Sequence, residues 1–244
     1  MADVSPAVRS ELAPTGKLRV GLNMSNFLLT ATDAATGKPK GLAADMGMEL
    51  GRRLGVPVEL VPFPNPGAVA DAAKTGVWDV GFIGAEPQRA TEIDFTAAYV
   101  EIEATYLVPP GSPIKAIPDV DRPGIRIAIS DRSAYDLYLT RHLKHAELIR
   151  ARGGDDVFKR FLSDKLDAMA GLRPGLVKSQ EKLPGSRILD GYFTAVQQAA
   201  GAPKGRPAGA KYLREFIEDA KASGLVAKLI EKNNVRGLTV AAKA

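Results

Sequence analysis

From residue 17 onward the chain alternates two patterns of apolar positions. Short runs rich in Val, Ile and Leu, such as LRVGL at 18–22 and IRIAI at 125–129, have strand character. Over 42–54, by contrast, Leu42, Met46, Leu50 and Leu54 recur every fourth residue and predict one buried helical face. The loop NMSNF after the first strand carries Asn23 and Phe27, and the turn cluster DAATGKPK at 33–40 hands over to the helix, which Gly55 and Pro57 stop. Asp45 lies in the first turn of that helix, where a carboxylate suits the dipole. A second strand is expected at 56–61, followed by Asn65 as an N-cap and Pro66 at the first position of a short helix reaching Lys74. Strands alternating with helices in this way predict an α/β fold built from parallel βαβ units.

The block 76–99, GVWDVGFIGAEPQRATEIDFTAAY, joins a buried-strand run at 80–83, ending in Gly84, to a polar loop with Glu86 and Arg89. Ligands of open α/β sheets bind outside the carboxyl ends of such strands. Arg89 is therefore either a planar fork placed to grip an anion or a solvated loop arginine. From Tyr99 an extended segment runs to Pro109, Pro110 and Pro113, a candidate lobe boundary. A second βα series follows: the strand at 125–129, the loop SDR, and a helix opened by Ser133, with Asp136 three positions later in the manner of a capping box. The start of that helix is another place for an anion. Next come a strand at 146–151, a helix at 155–163, and a strand at 166–170 that leads through Leu172, Arg173 and Pro174 into a helix. An extended stretch then ends at Gly201, and the last third is helical, with Tyr212, Leu213, Phe216, Ile217 and Ala220 on a shared face. In residues 1–16, Pro6, Pro14 and Gly16 argue against continuous regular structure and suggest a tethering or capping arm.

Length and composition narrow the function classes. At 244 residues the chain suits one large fold or two lobes. No run approaches the ~18 apolar residues of a membrane span. The formal charge of +5 is dispersed rather than blocked, so no nucleic-acid partner is expected. Cysteine is absent, which excludes disulfides, thiolate metal sites and a cysteine nucleophile. His142 and His145, three apart on an expected helix, have no third ligand and read as surface residues, so no metal is expected. Neither a G-x-S-x-G elbow nor a phosphate-binding glycine loop occurs, so any ATP hydrolysis belongs to a partner. MADVSPAVRSELAPTGK contains no apolar stretch of the kind a secretory signal needs.

Four stretches resemble a known family: GKLRVGL, GKPKGLAADMGMELGRRLGV, the KTGVWDV…R…IDFTAAY block, and PKG followed by YLREFIEDAKASGLVAKLIEK. With IAISDRS they cover nearly all of the chain from Lys17 to Val240. The chain resembles the family 3 extracellular solute-binding proteins, periplasmic receptors of polar amino-acid-type ABC transporters. The resemblance implies a two-lobed, type II periplasmic-binding-protein fold with two hinge strands and a ligand cleft that closes by hinge motion. Its expected division is an arm at 1–16, lobe 1 at 17–104 and 195–244, and lobe 2 at 105–194. It further implies capture of a small carboxylate-bearing solute, an amino acid or organic acid, for import through a membrane permease with a separate ATPase subunit. A periplasmic monomer is expected, with no cofactor and no catalysis, its signal peptide absent from this sequence.

In that family an arginine at the place of Arg89 pairs with the ligand carboxylate, and a hydroxyl at the place of Ser133 contributes from the other lobe. Phe27 falls where such receptors often have an aromatic wall, with core packing as the alternative, and Asn23 and Gly84, each at the end of an expected strand, are further ligand-binding candidates. Two departures bear on the ligand. Glu86 replaces the usual threonine of a T-P-x-R loop, and Leu172 and Arg173 stand where an aspartate usually holds the ligand's amine. A desolvated ammonium needs an anionic or carbonyl partner. A ligand without a standard α-ammonium is therefore expected, unless Glu86 receives a displaced amine; Arg173 is either a charge of the site or half of a structural pair. The alternative function is an enzyme resembling cyclohexadienyl dehydratases, with Glu86 as the proton-transferring acid.

Overall fold

A computed structural model describes residues 4–244, so residues 1–3 of the expected arm lie outside the described residues. The chain forms two compact units, one comprising residues up to Glu101 together with Gln197–Ala244, the other Ile102–Val196. The first unit opens with helix α1 (Pro6–Leu12) and strand β1 (Leu18–Asn23), followed by the small hairpin of β2 (Ala31–Thr32) and β3 (Pro39–Lys40). Helix α2 (Leu42–Leu54), strand β4 (Val58–Phe63), helix α3 (Pro66–Asp71) and strand β5 (Val80–Gly84) complete its first pass. β1 lies between β4 and β5 and is parallel to both, with Leu18 opposite Val58 and Val20 opposite Val80.

Helix α2 ends on Gly55 in the left-handed region (φ 69°) and sits close on the sheet, because a methyl at Gly51 would overlap Val58. β4 starts later than the apolar pattern suggests, since Val56 still closes the helix exit by donating its N–H to the Gly51 carbonyl (3.1 Å). Asn65 caps α3 as expected, its side chain accepting the Ala68 N–H at 2.8 Å. The fully buried Trp78 donates its indole N–H to the Val69 carbonyl at 3.0 Å, so the interior donor is satisfied.

Strand β6 (Ile93–Val108) carries the chain out of the first unit. The second unit then runs β7 (Arg126–Ser130), α4 (Ala134–His142), β8 (Glu147–Ala151), α5 (Gly153–Ser163), β9 (Ala168–Leu172), α6 (Arg173–Glu181) and β10 (Arg187–Ile188). β7 lies between β8 and β9, parallel to both, and β9 pairs antiparallel with the later part of β6 through Ala104 and Leu172. Ile127, Ile129 and Leu139 pack in one cluster, and Ala128, Val157, Phe161 and Met169 in another, as alternation along β7 requires. β9 begins two residues beyond its expected start, because Asp167 is held at the unit's edge by accepting the Arg126 N–H at 2.8 Å. His145 lies past the end of α4, not on it: its backbone N–H goes to Asp121 Oδ1 at 2.8 Å, so the two histidines share no helix face.

Strand β11 (Thr194–Pro203) returns the chain to the first unit, antiparallel to β5 with Gln198 opposite Gly84, and α7 (Pro207–Ala222), α8 (Leu225–Lys232) and β12 (Thr239–Val240) follow. Each unit thus repeats one plan, a parallel trio with its first strand in the middle and an antiparallel fourth strand supplied by a crossing segment. The expected absence of regular structure before residue 17 is corrected. Ser5 caps α1 and Pro6 occupies the first turn, where a missing N–H costs nothing. Leu12 is fully buried against Gly209, and Glu11 accepts the Gly209 N–H at 2.7 Å at the start of α7. Arg9 donates to the Leu54 carbonyl at 3.0 Å, at the end of α2. Between them, these two side chains satisfy one terminus of each of two other helices.

Candidate ligand-binding site

In the first unit the chain leaves β1 toward β4 on one side and returns to β5 on the other, so the connections diverge at the carboxyl ends of β1 and β5. Such a switch point opens a crevice. Five of the seven candidate residues lie on these two ends. Asn23 closes β1; its Oδ1 accepts from Ser25 N (3.1 Å) and Ser25 Oγ (2.8 Å), and its carbonyl accepts from Thr30 Oγ1 (2.7 Å), which shapes the loop that carries Phe27. Phe27 is 46% exposed, which removes core packing as its role.

Gly84 closes β5, and its carbonyl accepts Arg89 Nη1 at 2.6 Å. The Glu86 carbonyl accepts the N–H groups of Arg89 (2.9 Å) and Ala90 (3.0 Å), which turns the chain so that the guanidinium folds back toward the strand end. Arg89 is only 5% exposed. It is therefore not a solvated loop arginine but a buried cation with a fixed orientation.

The second unit repeats the geometry at the ends of β7 and β9, where Ser133 and Arg173 lie. Ser133 caps α4, its hydroxyl accepting the Asp136 N–H at 3.1 Å. The reciprocal half of the expected capping box is not made. The buried Asp136 carboxylate instead accepts the Arg132 N–H at 2.8 Å, where Arg132 adopts φ 56°, and pairs with Arg150 at 3.0 Å. An aspartate side chain is one methylene shorter than the glutamate of a capping box, and here it turns to the cation.

Sequence reasoning missed Tyr135, two residues beyond Ser133, whose hydroxyl bonds the Ser130 and Ser133 side chains; burial, the larger influence, pushes its pKa up. Tyr135, Leu172 and Phe193 pack around Ala104, Ala134 and Val196. Sequence also left open whether Arg173 is a site charge. Its Nε donates to Glu103 Oε2 at 2.6 Å and its Nη2 to the Gly191 carbonyl, so it forms an ion pair within the second unit. No sequence signal links positions 70 residues apart. Among the described residues no cluster of three potential metal ligands occurs, and no helix is long and apolar enough to cross a membrane.

The model of the bacterial extracellular solute-binding proteins, family 3, matches residues 18–235. The chain belongs to this family. No curated protein sequence matches it. Among solved structures, it is similar to the ancestral amino acid-binding protein AncCDT-1, a precursor of cyclohexadienyl dehydratase (23% identity, 92% of this chain and 97% of that one, TM-score 0.75). It is similar also to a putative ABC-transporter binding component from Wolinella succinogenes complexed with lysine (22%, 89% and 95%, TM-score 0.75). A third is AbpA from Streptococcus pneumoniae bound to L-arginine (20%, 91% and 96%, TM-score 0.74). At these identities the likeness shows the shared fold, the type II periplasmic-binding-protein arrangement of the family.

Proposed function

We propose that this member of the family captures a small carboxylate-bearing solute, an amino acid or organic acid, for import by an ABC transporter whose permease and ATPase are separate chains. On this reading it is a periplasmic monomer that binds and does not catalyse. The observation that carries the reading is Arg89, nine-tenths buried at a switch point and oriented by the Gly84 carbonyl. A guanidinium presents five N–H donors in a rigid fork that matches a carboxylate. The relatives complexed with lysine and with arginine favour carboxylate-bearing solutes.

The test is Arg89→Ala. Loss of a buried charged contact costs about 2–5 kcal/mol, so calorimetry of the variant should show no heat at ligand concentrations that saturate the parent, with its circular dichroism unchanged. Near-parental affinity rules Arg89 out as the carboxylate grip. A thermal-shift screen over amino acids, dicarboxylates and aromatic acids supplies the ligand, because one that binds only the folded state raises the midpoint.

A further inference from the structure

Ser133 and Arg173 follow the carboxyl ends of β7 and β9. At the other end of the same strands, beside Ile125 and Leu166, lies a cavity of about 280 Å³. Each strand is five residues long, so about 16 Å of sheet separates the two places. Every residue that lines the cavity belongs to the second unit. One wall is the loop leaving β6, with Pro109, Pro110 and Pro113, and another is the end of α5, with Phe161 and Leu162.

These walls are held in place by the fold itself. Proline rings fix φ in the loop, the Ile114 N–H donates to Ser112 Oγ at 3.3 Å, and Arg187 Nη2 donates to the Ile114 carbonyl at 2.7 Å. At the end of α5 the Leu166 N–H donates to the Phe161 carbonyl at 3.0 Å and the Lys165 N–H to the Leu162 carbonyl at 3.3 Å, the paired closure of a helix carboxyl end. That closure puts Lys165 in the left-handed region (φ 49°), at the position where glycine is usual. Lysine there accepts a steric cost that glycine avoids, and places a long side chain beside the cavity.

Both acids that flank Lys165 are already engaged. Asp164 takes Arg160 Nε at 3.0 Å, and Asp167 takes the Arg126 N–H at 2.8 Å. The exposed Lys165 ammonium has no hydrogen-bond or ion-pair partner among the described residues. A lysine lays its stem on apolar surface and keeps its head in water, so the cavity is an apolar slot with one cation at its rim.

We infer that this cavity is a second binding site, separate from Arg89, for a small acid with an apolar body, of the class of a medium-chain fatty acid. Its carboxylate meets Lys165 and its chain lies between the proline loop and the end of α5. The volume stands at the foot of the range for small-molecule pockets, roughly 300–1,000 Å³. A docked helix, about 10 Å across, does not fit such a space, and an added strand finds no N–H to pair with on the three prolines. The inference does not depend on carboxylate capture at Arg89.

The experiment is a calorimetric titration of the full chain with octanoate, with 1-octanol as the uncharged probe. Octanoate is expected to bind, and octanol to bind about fivefold more weakly, the effect of one exposed ion pair. Lys165→Gly removes the cation and suits the left-handed backbone, so it should keep the fold by circular dichroism while weakening octanoate about fivefold. Leu162→Gln, at an exposed position, should weaken octanoate and octanol alike, because it takes away apolar wall. Arg89→Ala should leave octanoate affinity unchanged. Parental affinity in Lys165→Gly, or octanol binding as tightly as octanoate, overturns the assignment of an acid to Lys165. Loss of octanoate binding in Arg89→Ala also overturns it and supports capture at Arg89 instead. No heat from octanoate at millimolar concentration means that the cavity is not such a site.

Discussion

The two units share a strand plan, yet they secure their buried carboxylates differently. In the first, the fully buried Asp79 takes Arg19 at 2.8 Å and Arg206 at 3.0 Å, joining β1, the turn before β5 and the entrance to α7. In the second, Asp136 takes Arg132 and Arg150, both within fifteen residues of it. The first network ties together segments from both passes of the chain, and the second reinforces neighbours. The same chemistry therefore closes a long loop in one unit and only stiffens a corner in the other.

Asp79→Ala breaks this contrast most severely. Removing one member of a buried ion cluster costs about 3–5 kcal/mol. The single tryptophan, Trp78, lies in the first unit and reports on it, so its denaturant midpoint should fall by that amount divided by the slope. Asp136→Ala should cost less, about 1–3 kcal/mol, because Arg150 is 39% exposed and can turn to water. Hydrogen exchange should then quicken at β7 and β8 while the Trp78 transition stays in place. Equal displacement of the Trp78 midpoint by both substitutions would show that the units unfold as one and would erase the distinction.

The smallest effect concerns acid. Hydrogen bonding from Arg52, and then from Arg53, lowers the Glu49 carboxyl from 4.5 to about 2, against opposing desolvation. The folded pKa is depressed, so the stability it contributes is complete above the unfolded value and is lost as pH falls from 4.5 toward 2. Glu49→Gln should flatten that limb of the stability curve in the first unit, by a modest amount because Arg52 is 70% exposed. An unaltered limb would mean that Glu49 titrates alike in the folded and unfolded states.

What could be read in the sequence was local. Leu42 to Leu54 at helical spacing, Asn65 before Pro66, and Ser133 before α4 each state their structure within four residues, and each is present. What escaped depended on distance or context. Pro6 reads as a breaker unless Ser5 is recognised as the cap that makes it a first-turn proline. The partners of Asp79 lie 60 and 127 residues away, and Glu103 and Arg173 carry no pattern that joins them. For the candidate site, the positions of Arg89 and Gly84 at a strand end followed from the strand-loop rhythm. The fold of the guanidinium back onto the Gly84 carbonyl did not, because it depends on the turn that Glu86 closes. Tyr135 gave no signal beyond an aromatic residue in a first helical turn.

The attachment of α1 to both α2 and α7 has a consequence for how the protein comes into being. Ribosomes deliver the amino terminus first, and the second unit is one uninterrupted segment, so all of its contacts are available while the last fifth of the chain is still unmade. The first unit, begun earliest, must wait: β5 has no antiparallel neighbour, Asp79 has one of its two arginines, and Glu11 has no helix to cap until residues 197–222 emerge. The nascent chain therefore finishes its middle before its beginning, and α1 is among the first parts synthesised and the last to dock.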